Sequence, residues 1–255
     1  MTSTMVVLLF AAGALGGTIN AIAGGATLFT FPAMMLVGLP PIVANASSTV
    51  ALTPGHLLAV ISERSKLPPR NAEFSLAIAI AILGGVAGAF LLFASSEKFF
   101  TGIVPLLIGL ATLVFAFGKP LQTYLGQHRA GQFDSAKARL ATLVPVAVYG
   151  GYFGAGMGVM LMAAFAVTSK WELRTSIAMK NLLGALANWS AIVVFIVAGM
   201  INWPATLIMF TGAVVGGLVG AKLLNTLPAH IVRFVVIAAG TIMTVVYVWR
   251  FWLVQ

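Results

Sequence analysis

From Phe74 to Ala94 the chain reads FSLAIAIAILGGVAGAFLLFA, with no charged side chain anywhere in the run. About 20 apolar residues are what a helix needs to cross a bilayer's hydrocarbon, where every backbone polar group must be satisfied within the protein. Runs of this kind recur at Met5 to Ala23, Ile42 to Ile61, Phe99 to Phe117, Leu140 to Met157, Ser176 to Ala198, Pro204 to Leu224 and Ile231 to Val254. Together they predict an all-α polytopic membrane protein with about eight transmembrane helices. Charged residues make up 7% of the chain against roughly a quarter in soluble domains, which fits. The first run lacks a basic leading segment and is read as a retained helix, not a signal peptide.

Two shorter apolar stretches, Ala26 to Val37 and Val159 to Val167, fall between these runs and are too short for an ordinary crossing. They predict broken or re-entrant helices. The net charge of +9 comes from basic residues scattered through short loops, with no soluble domain behind them to hold nucleic acid. In a membrane protein such loops first report topology, so no nucleic-acid partner is expected. With no cysteine, disulfides and thiol chemistry are excluded.

An offset of 132 residues carries GGVAGAFLL at Gly84 onto GGLVGAKLL at Gly216, with six identities in nine, and Ala23-Gly24 onto Ala155-Gly156. The same offset places Ser48-Thr49 on Lys180-Asn181 and His56 on Asn188. One ungapped register through separated segments predicts two repeated halves: residues 1–117, a polar cytoplasmic linker at 118–139, and residues 140–255. The linker and the loop SERSKLPPRNAE are both basic and should face the cytoplasm, whereas GMINW is uncharged and should face outward. This pattern favours inverted halves, and a parallel arrangement explains it only slightly less well.

Each half opens with a glycine cluster, Gly13 to Gly25 in the first and Gly150 to Gly158 in the second. Small residues at such spacing let membrane helices approach closely, and this suffices for Gly212, Gly216 and Gly220. The two clusters also separate a long run from a short one at matching places. Interrupted helices at corresponding positions mark a transport site, because unwound backbone at Gly24, Gly25, Gly156 and Gly158 can offer N–H groups to an anion.

Lys180 is the most costly residue inside an apolar run, at about 2.5 to 3.5 kcal/mol for a central lysine. A helix starting near Arg174 would let it snorkel to the interface. Against that, Lys180, Gly184 and Asn188 share one helical face, with Asn181 beside them. The related helix carries Asn45, Ser48, Thr49, Thr53 and His56, and Pro54 should leave the Val50 carbonyl free. If the two helices face each other, one lysine is ringed by neutral donors. The acids Glu63, Glu73, Glu97, Asp134 and Glu172 all fall in loops or at helix ends, so the site suits an oxyanion and not a cation.

No GxxxxGK[ST], HExxH or GxSxG motif is present, and Ser48 lies about 12 Å from His56 along a helix, too far for a nucleophile and its base. No enzyme and no cofactor is expected. A membrane scaffold without transport would not account for polar faces matched between halves. Lacking carboxylates for a proton path, an anion carrier would run on its gradient and the membrane potential, which drives a negative charge outward with about 2.3 kcal/mol per 100 mV.

GALGGTINAIAGGATLFTFPAMMLVGLPPIVANASSTVALTPG, with YGGYFGAGMGVML and AMKNLLGALAN, resembles the two glycine-rich segments and following polar helices of the sulfite exporter TauE/SafE family. The resemblance covers essentially the whole chain. It implies a duplicated transporter of sulfur-containing anions in the bacterial inner membrane, with Asn45, Ser48, Thr49, Lys180 and Asn181 near the substrate. The reading that follows is an exporter of sulfite or a small organosulfonate, with Lys180 as counter-charge. Asn181, Asn188, Asn45, Ser48, Thr49 and His56 would supply neutral hydrogen bonds, and Gly24, Gly25, Gly156 and Gly158 backbone donors. The alternative is an uptake carrier for a sulfonate or carboxylate. The oligomeric state is not legible.

Overall fold

The computed structural model describes residues 1–22, 25–128, 134–223 and 229–253, and all regular structure in them is helical. The helices are α1 (Ser3–Ile22), α2 (Thr27–Leu36), α3 (Pro41–Ala51), α4 (Thr53–Glu63), α5 (Ala72–Ala94), α6 (Glu97–His128), α7 (Ala136–Tyr152), α8 (Met157–Thr168), α9 (Leu173–Val197), α10 (Trp203–Leu223) and α11 (Ala229–Val248). Six helices among the described residues are long and apolar enough to cross a membrane: α1, α5, α6, α9, α10 and α11. The chain is a multi-pass α-helical membrane protein.

Two of the eight expected spans take another form. The run from Ile42 to Ile61 is broken at Leu52, where α3 ends and α4 begins. Pro54 in the first turn of α4 has no N–H to continue the ladder, so the helix kinks there. The Val50 carbonyl is not left free, as expected from sequence, because the Thr53 hydroxyl donates to it at 2.7 Å. The run from Leu140 to Met157 ends as helix at Tyr152, and α7 has 17 residues. Gly154 and Gly156, at φ of +76° and +78°, turn the chain back into α8. The short α2 and α8 occupy the two short apolar stretches, and the polar segment after Gly118 begins as a continuation of α6 to His128.

Glycine decides which helices touch. A Cβ on Gly13 would overlap the Met209 carbonyl, one on Gly212 the Phe10 carbonyl, and one on Gly216 the Ala14 carbonyl, so α1 and α10 pack backbone to backbone. Rising numbers meet rising numbers in Phe10–Gly212 and Ala14–Gly216, so the two helices are parallel. Gly84 against Ala147 and Gly88 against the Val148 carbonyl pack α5 on α7, again in parallel. The 132-residue offset read from the sequence sets α1 against α7 and α5 against α10, and both contacts join a helix before residue 118 to one after residue 135.

Direction follows from the same contacts. Phe74 and Ala77 of α5 share a cluster with Met179 and Leu183 of α9, and Gly85 reaches Ala187, so α9 runs with α5. The tight connection from Val197 to Trp203 then makes α10 run against α5, its counterpart by the offset. The core lies between these layers. Phe31 of α2 packs edge-on against Phe100 and Phe153, with ring centroids 6.5 and 5.7 Å away.

Two arginines tie helix ends together. Arg139 at the start of α7 bonds Glu73 of α5 at 2.7 Å, Asp134 at 2.7 Å and the Thr168 carbonyl at the end of α8, and its guanidinium lies over the Trp171 ring. Arg233 of α11 donates to the Phe115 and Ala116 carbonyls of α6 at 2.9 and 2.7 Å. Pro120 lies inside α6 and cannot donate to Ala116, four residues earlier, so Arg233 supplies the missing partner.

Candidate transport site

Lys180 is the eighth residue of α9, which places it about 10 Å into the helix. Its aliphatic stem lies on the first turn of α8: the Lys180 Cδ is 3.4 Å from the point where a Cβ on Gly158 would stand. A side chain larger than alanine there would crowd the stem. The N–H groups of Met157, Val159 and Met160 bond within the turn, to Gly154 and Gly156 carbonyls. Among the described residues the Gly158 N–H has no acceptor, so a donor at the positive end of a helix lies next to the lysine stem.

His56 of α4 is close enough to Lys180 for their charges to interact, and so is Glu63 at the end of α4. Sequence reasoning left Lys180 without any carboxylate in reach. α4 brings Glu63 near because it runs down beside α9, yet the ion pairs among the described residues are those of Arg139, and none joins Glu63 to Lys180. Asn181 donates to the Ala59 carbonyl of α4 at 3.3 Å and fixes that packing.

The remaining polar residues sit at another depth. Asn188 lies two turns further along α9, about 12 Å from Lys180. Its amide donates to the Gly184 carbonyl at 2.8 Å, and its Oδ1 faces Gly154, 3.5 Å from where a Cβ there would be. Asn45 donates to the Tyr152 carbonyl at 3.0 Å, in the same turn. Because that carbonyl can only accept, the Asn45 amide is oriented, and its Oδ1 is buried with no donor. Ser48 pairs with the Thr30 hydroxyl at 2.6 Å, and Thr49 bonds the Asn45 carbonyl of its own helix at 2.9 Å.

The expected single ring around Lys180 is therefore two sets. His56, Lys180, Asn181 and Gly158 form one, and Asn45, Ser48 and Asn188 form the other beside Thr30 and Gly154. Thr49 joins neither through its side chain. Gly25 has φ +88° and abuts the Phe115 ring, which a Cβ would meet at 2.6 Å, and Gly156 caps α8 against Ala111 and Val114. Gly24 lies outside the described residues. Between the two sets stands Gly184, where a Cβ would meet no atom within 4 Å. The open face thus runs from Lys180 past Gly184 toward Asn188.

Three members went unnoticed in the sequence. Thr30 and Tyr152 contribute at the Asn45 level, and the Asn20 amide of α1 packs on Gly55, 2.8 Å from a Cβ placed there. Asn20 carried a usable signal as an amide inside an apolar run. The Tyr152 contribution is a carbonyl, which no side-chain pattern reveals.

A helical bundle with interrupted helices, a lysine at their junction and open space beside it defines a polytopic membrane transporter. Residues 9–247 match the family model for the sulfite exporter TauE/SafE, nearly the whole chain, and the protein belongs to that family. It is 25% identical over 240 residues to a probable membrane transporter protein of Haemophilus influenzae, covering 94% of this chain and 93% of that one. It is 26% identical to the probable membrane transporter protein YfcA of Escherichia coli K12, over 93% of this chain and 87% of that one. The probable membrane transporter protein ORF9 of a Sinorhizobium species is 28% identical over 90% of this chain and 87% of its own. No solved structure matches the chain.

Proposed function

We propose that the protein exports sulfite or a small organosulfonate across the bacterial inner membrane, binding it between two inverted copies of one helical unit. The observation that carries this reading is Lys180, laid along Gly158 at the free N–H end of α8, on the face of α9 that holds the space at Gly184, and in no ion pair among the described residues. A cation and a helix N-terminus at one point attract an anion from two sides. The three oxygens of a sulfite or sulfonate group can accept hydrogen bonds from an ammonium and a backbone N–H together. The family's description as sulfite exporters supplies the sulfur chemistry.

Inversion is supported by the opposed directions of α5 and α10, and the basic loops at Arg64 to Arg70 and around Lys137 and Arg139 assign the ends of α4 and α7 they flank to the cytoplasm. Residues 1–117 and 140–255 are then the two copies and 118–139 the cytoplasmic link. Lys180 and His56 lie toward the inner side in this orientation, and Asn45, Ser48 and Asn188 toward the outer side. An anion captured at Lys180 passes Gly184 to the amides of the outer set, and the inside-negative potential favours that direction.

Proteoliposomes loaded with sulfite, then with a short sulfonate or a short carboxylate, test the substrate. Sulfite or sulfonate should leave faster from protein-containing vesicles under an inside-negative potential, with the carboxylate retained. Release of the carboxylate alone, or of none of the three, contradicts the reading.

A further inference from the structure

Between the α4–α5 connection and α9 the structure holds a cavity of about 630 Å³, walled by Leu67, Phe74, Ile78 and Leu182 on its apolar side and by Arg64 and Arg70 on its polar side. We propose that this cavity is a binding site for an anionic phospholipid of the cytoplasmic leaflet. Its phosphate would lie between the two guanidinium groups, with the glycerol and upper acyl carbons against the apolar wall.

The two arginines differ from Arg139 and Arg233 in what they bond, and from the exposed Arg174 in lining the cavity. Arg139 spends its donors on Glu73, Asp134 and the Thr168 carbonyl, and Arg233 spends its own on two α6 carbonyls. Arg64 and Arg70 are exposed and, among the described residues, have no acceptor. Two forked, unpaired cations facing one concavity match a phosphate better than a single point charge would.

Size separates a lipid from a bare ion. At about 30 Å³ per water molecule the space equals roughly twenty waters, several times what a small oxyanion fills. An oxyanion would also leave the leucine, isoleucine and phenylalanine surface wet. An amphiphile matches both sides at once. The wall ends outward at Ser75 of α5, which lines the cavity and is exposed. The placement at the inner leaflet rests on the orientation given above. Binding itself does not depend on transport.

Purified full-length protein in a neutral detergent, titrated with phosphatidylglycerol and separately with phosphatidylcholine while its thermal unfolding is followed, tests the proposal. Phosphatidylglycerol should raise the melting temperature of the wild type saturably and phosphatidylcholine should not. Each arginine removed should weaken the apparent affinity about fivefold, so Arg64→Gln with Arg70→Gln should weaken it by more than tenfold. Arg174→Gln, outside the cavity, should leave the titration unchanged. Leu182→Trp, which fills the apolar wall, should abolish the response even with both arginines present, and each variant's melting in phosphatidylcholine shows whether it is folded. An unchanged phosphatidylglycerol response in the folded double variant overturns the proposal. So does an equal shift from inorganic phosphate or sulfite alone, which would make the cavity the mouth of the ion path.

Discussion

The Lys180 Cδ passes 3.4 Å from where a side chain on Gly158 would begin, so α9 meets α8 where the lysine stem lies against a helix turn whose Gly158 N–H, among the described residues, has no acceptor. Gly158→Ala should be tolerated with reduced flux, because 3.4 Å is close to ordinary contact. Gly158→Val adds γ-carbons in the path of the lysine stem and should lower transport by more than tenfold while the protein melts near the wild-type temperature. Flux per folded molecule in vesicles checks both, and full activity of Gly158→Val would detach the lysine from α8.

The α1–α10 contact is a stability prediction. A Cβ on Gly216 overlaps the Ala14 carbonyl, which is backbone and cannot rotate aside. Gly216→Val should destabilise the protein by about 3 kcal/mol, the upper range for overpacking. The same change at Gly217, where a Cβ meets nothing within 4 Å, should cost far less. Thermal unfolding followed by circular dichroism separates the two.

Arg233 and Pro120 should be energetically coupled. Arg233→Met leaves the Ala116 carbonyl without a donor at a cost of about 2 kcal/mol. Pro120→Ala restores an N–H that can reach Ala116, so in the Arg233→Met background it should recover about 1 kcal/mol. A double-mutant cycle on unfolding midpoints measures this coupling, and strict additivity would show that the arginine does not serve the carbonyl freed by proline.

The proposed inversion of the halves can be tested with single cysteines, since the chain has none of its own. Ser65 and Gly199, exposed in connections at matching places of the two halves, should lie on opposite faces. A membrane-impermeant maleimide added to right-side-out vesicles should label Gly199→Cys and leave Ser65→Cys unlabelled until the membrane is opened. Labelling of both from one side would mean parallel halves.

Apolar length made the membrane fold legible, because bilayer thickness fixes how many residues a crossing helix needs. The interruptions were partly legible: Gly24–Gly25 and Gly156 to Gly158 stand where a long run meets a short one, and among the described residues the turns fall at Gly25 and at Gly154 to Gly156, with Gly158 already inside α8. Pro54 signalled a break, but its consequence at Val50 did not follow, because the Thr53 hydroxyl lies within reach of the same carbonyl. Depth was the larger gap. Ser48 and Lys180 share a register position, yet opposed helix directions put Ser48 with Thr30 and give Lys180 the company of His56. A linear repeat pairs residues by position, and only the three-dimensional packing pairs them by depth. The Arg139 and Arg233 contacts were hidden for a related reason, since their acceptors include backbone carbonyls on distant helices.

The central claim is that Lys180 is the counter-charge of a transported sulfur oxyanion. Its loss should cost on the order of 3 kcal/mol of anion stabilisation, about a hundredfold in rate. The direct measurement is sulfite release from loaded proteoliposomes under an imposed inside-negative potential, comparing wild type with Lys180→Met. The account predicts potential-driven release from the wild type and near-background release from the variant, with equal amounts of folded protein in both. Undiminished release from Lys180→Met would contradict it and return this lysine to a side chain that merely reaches for the membrane surface.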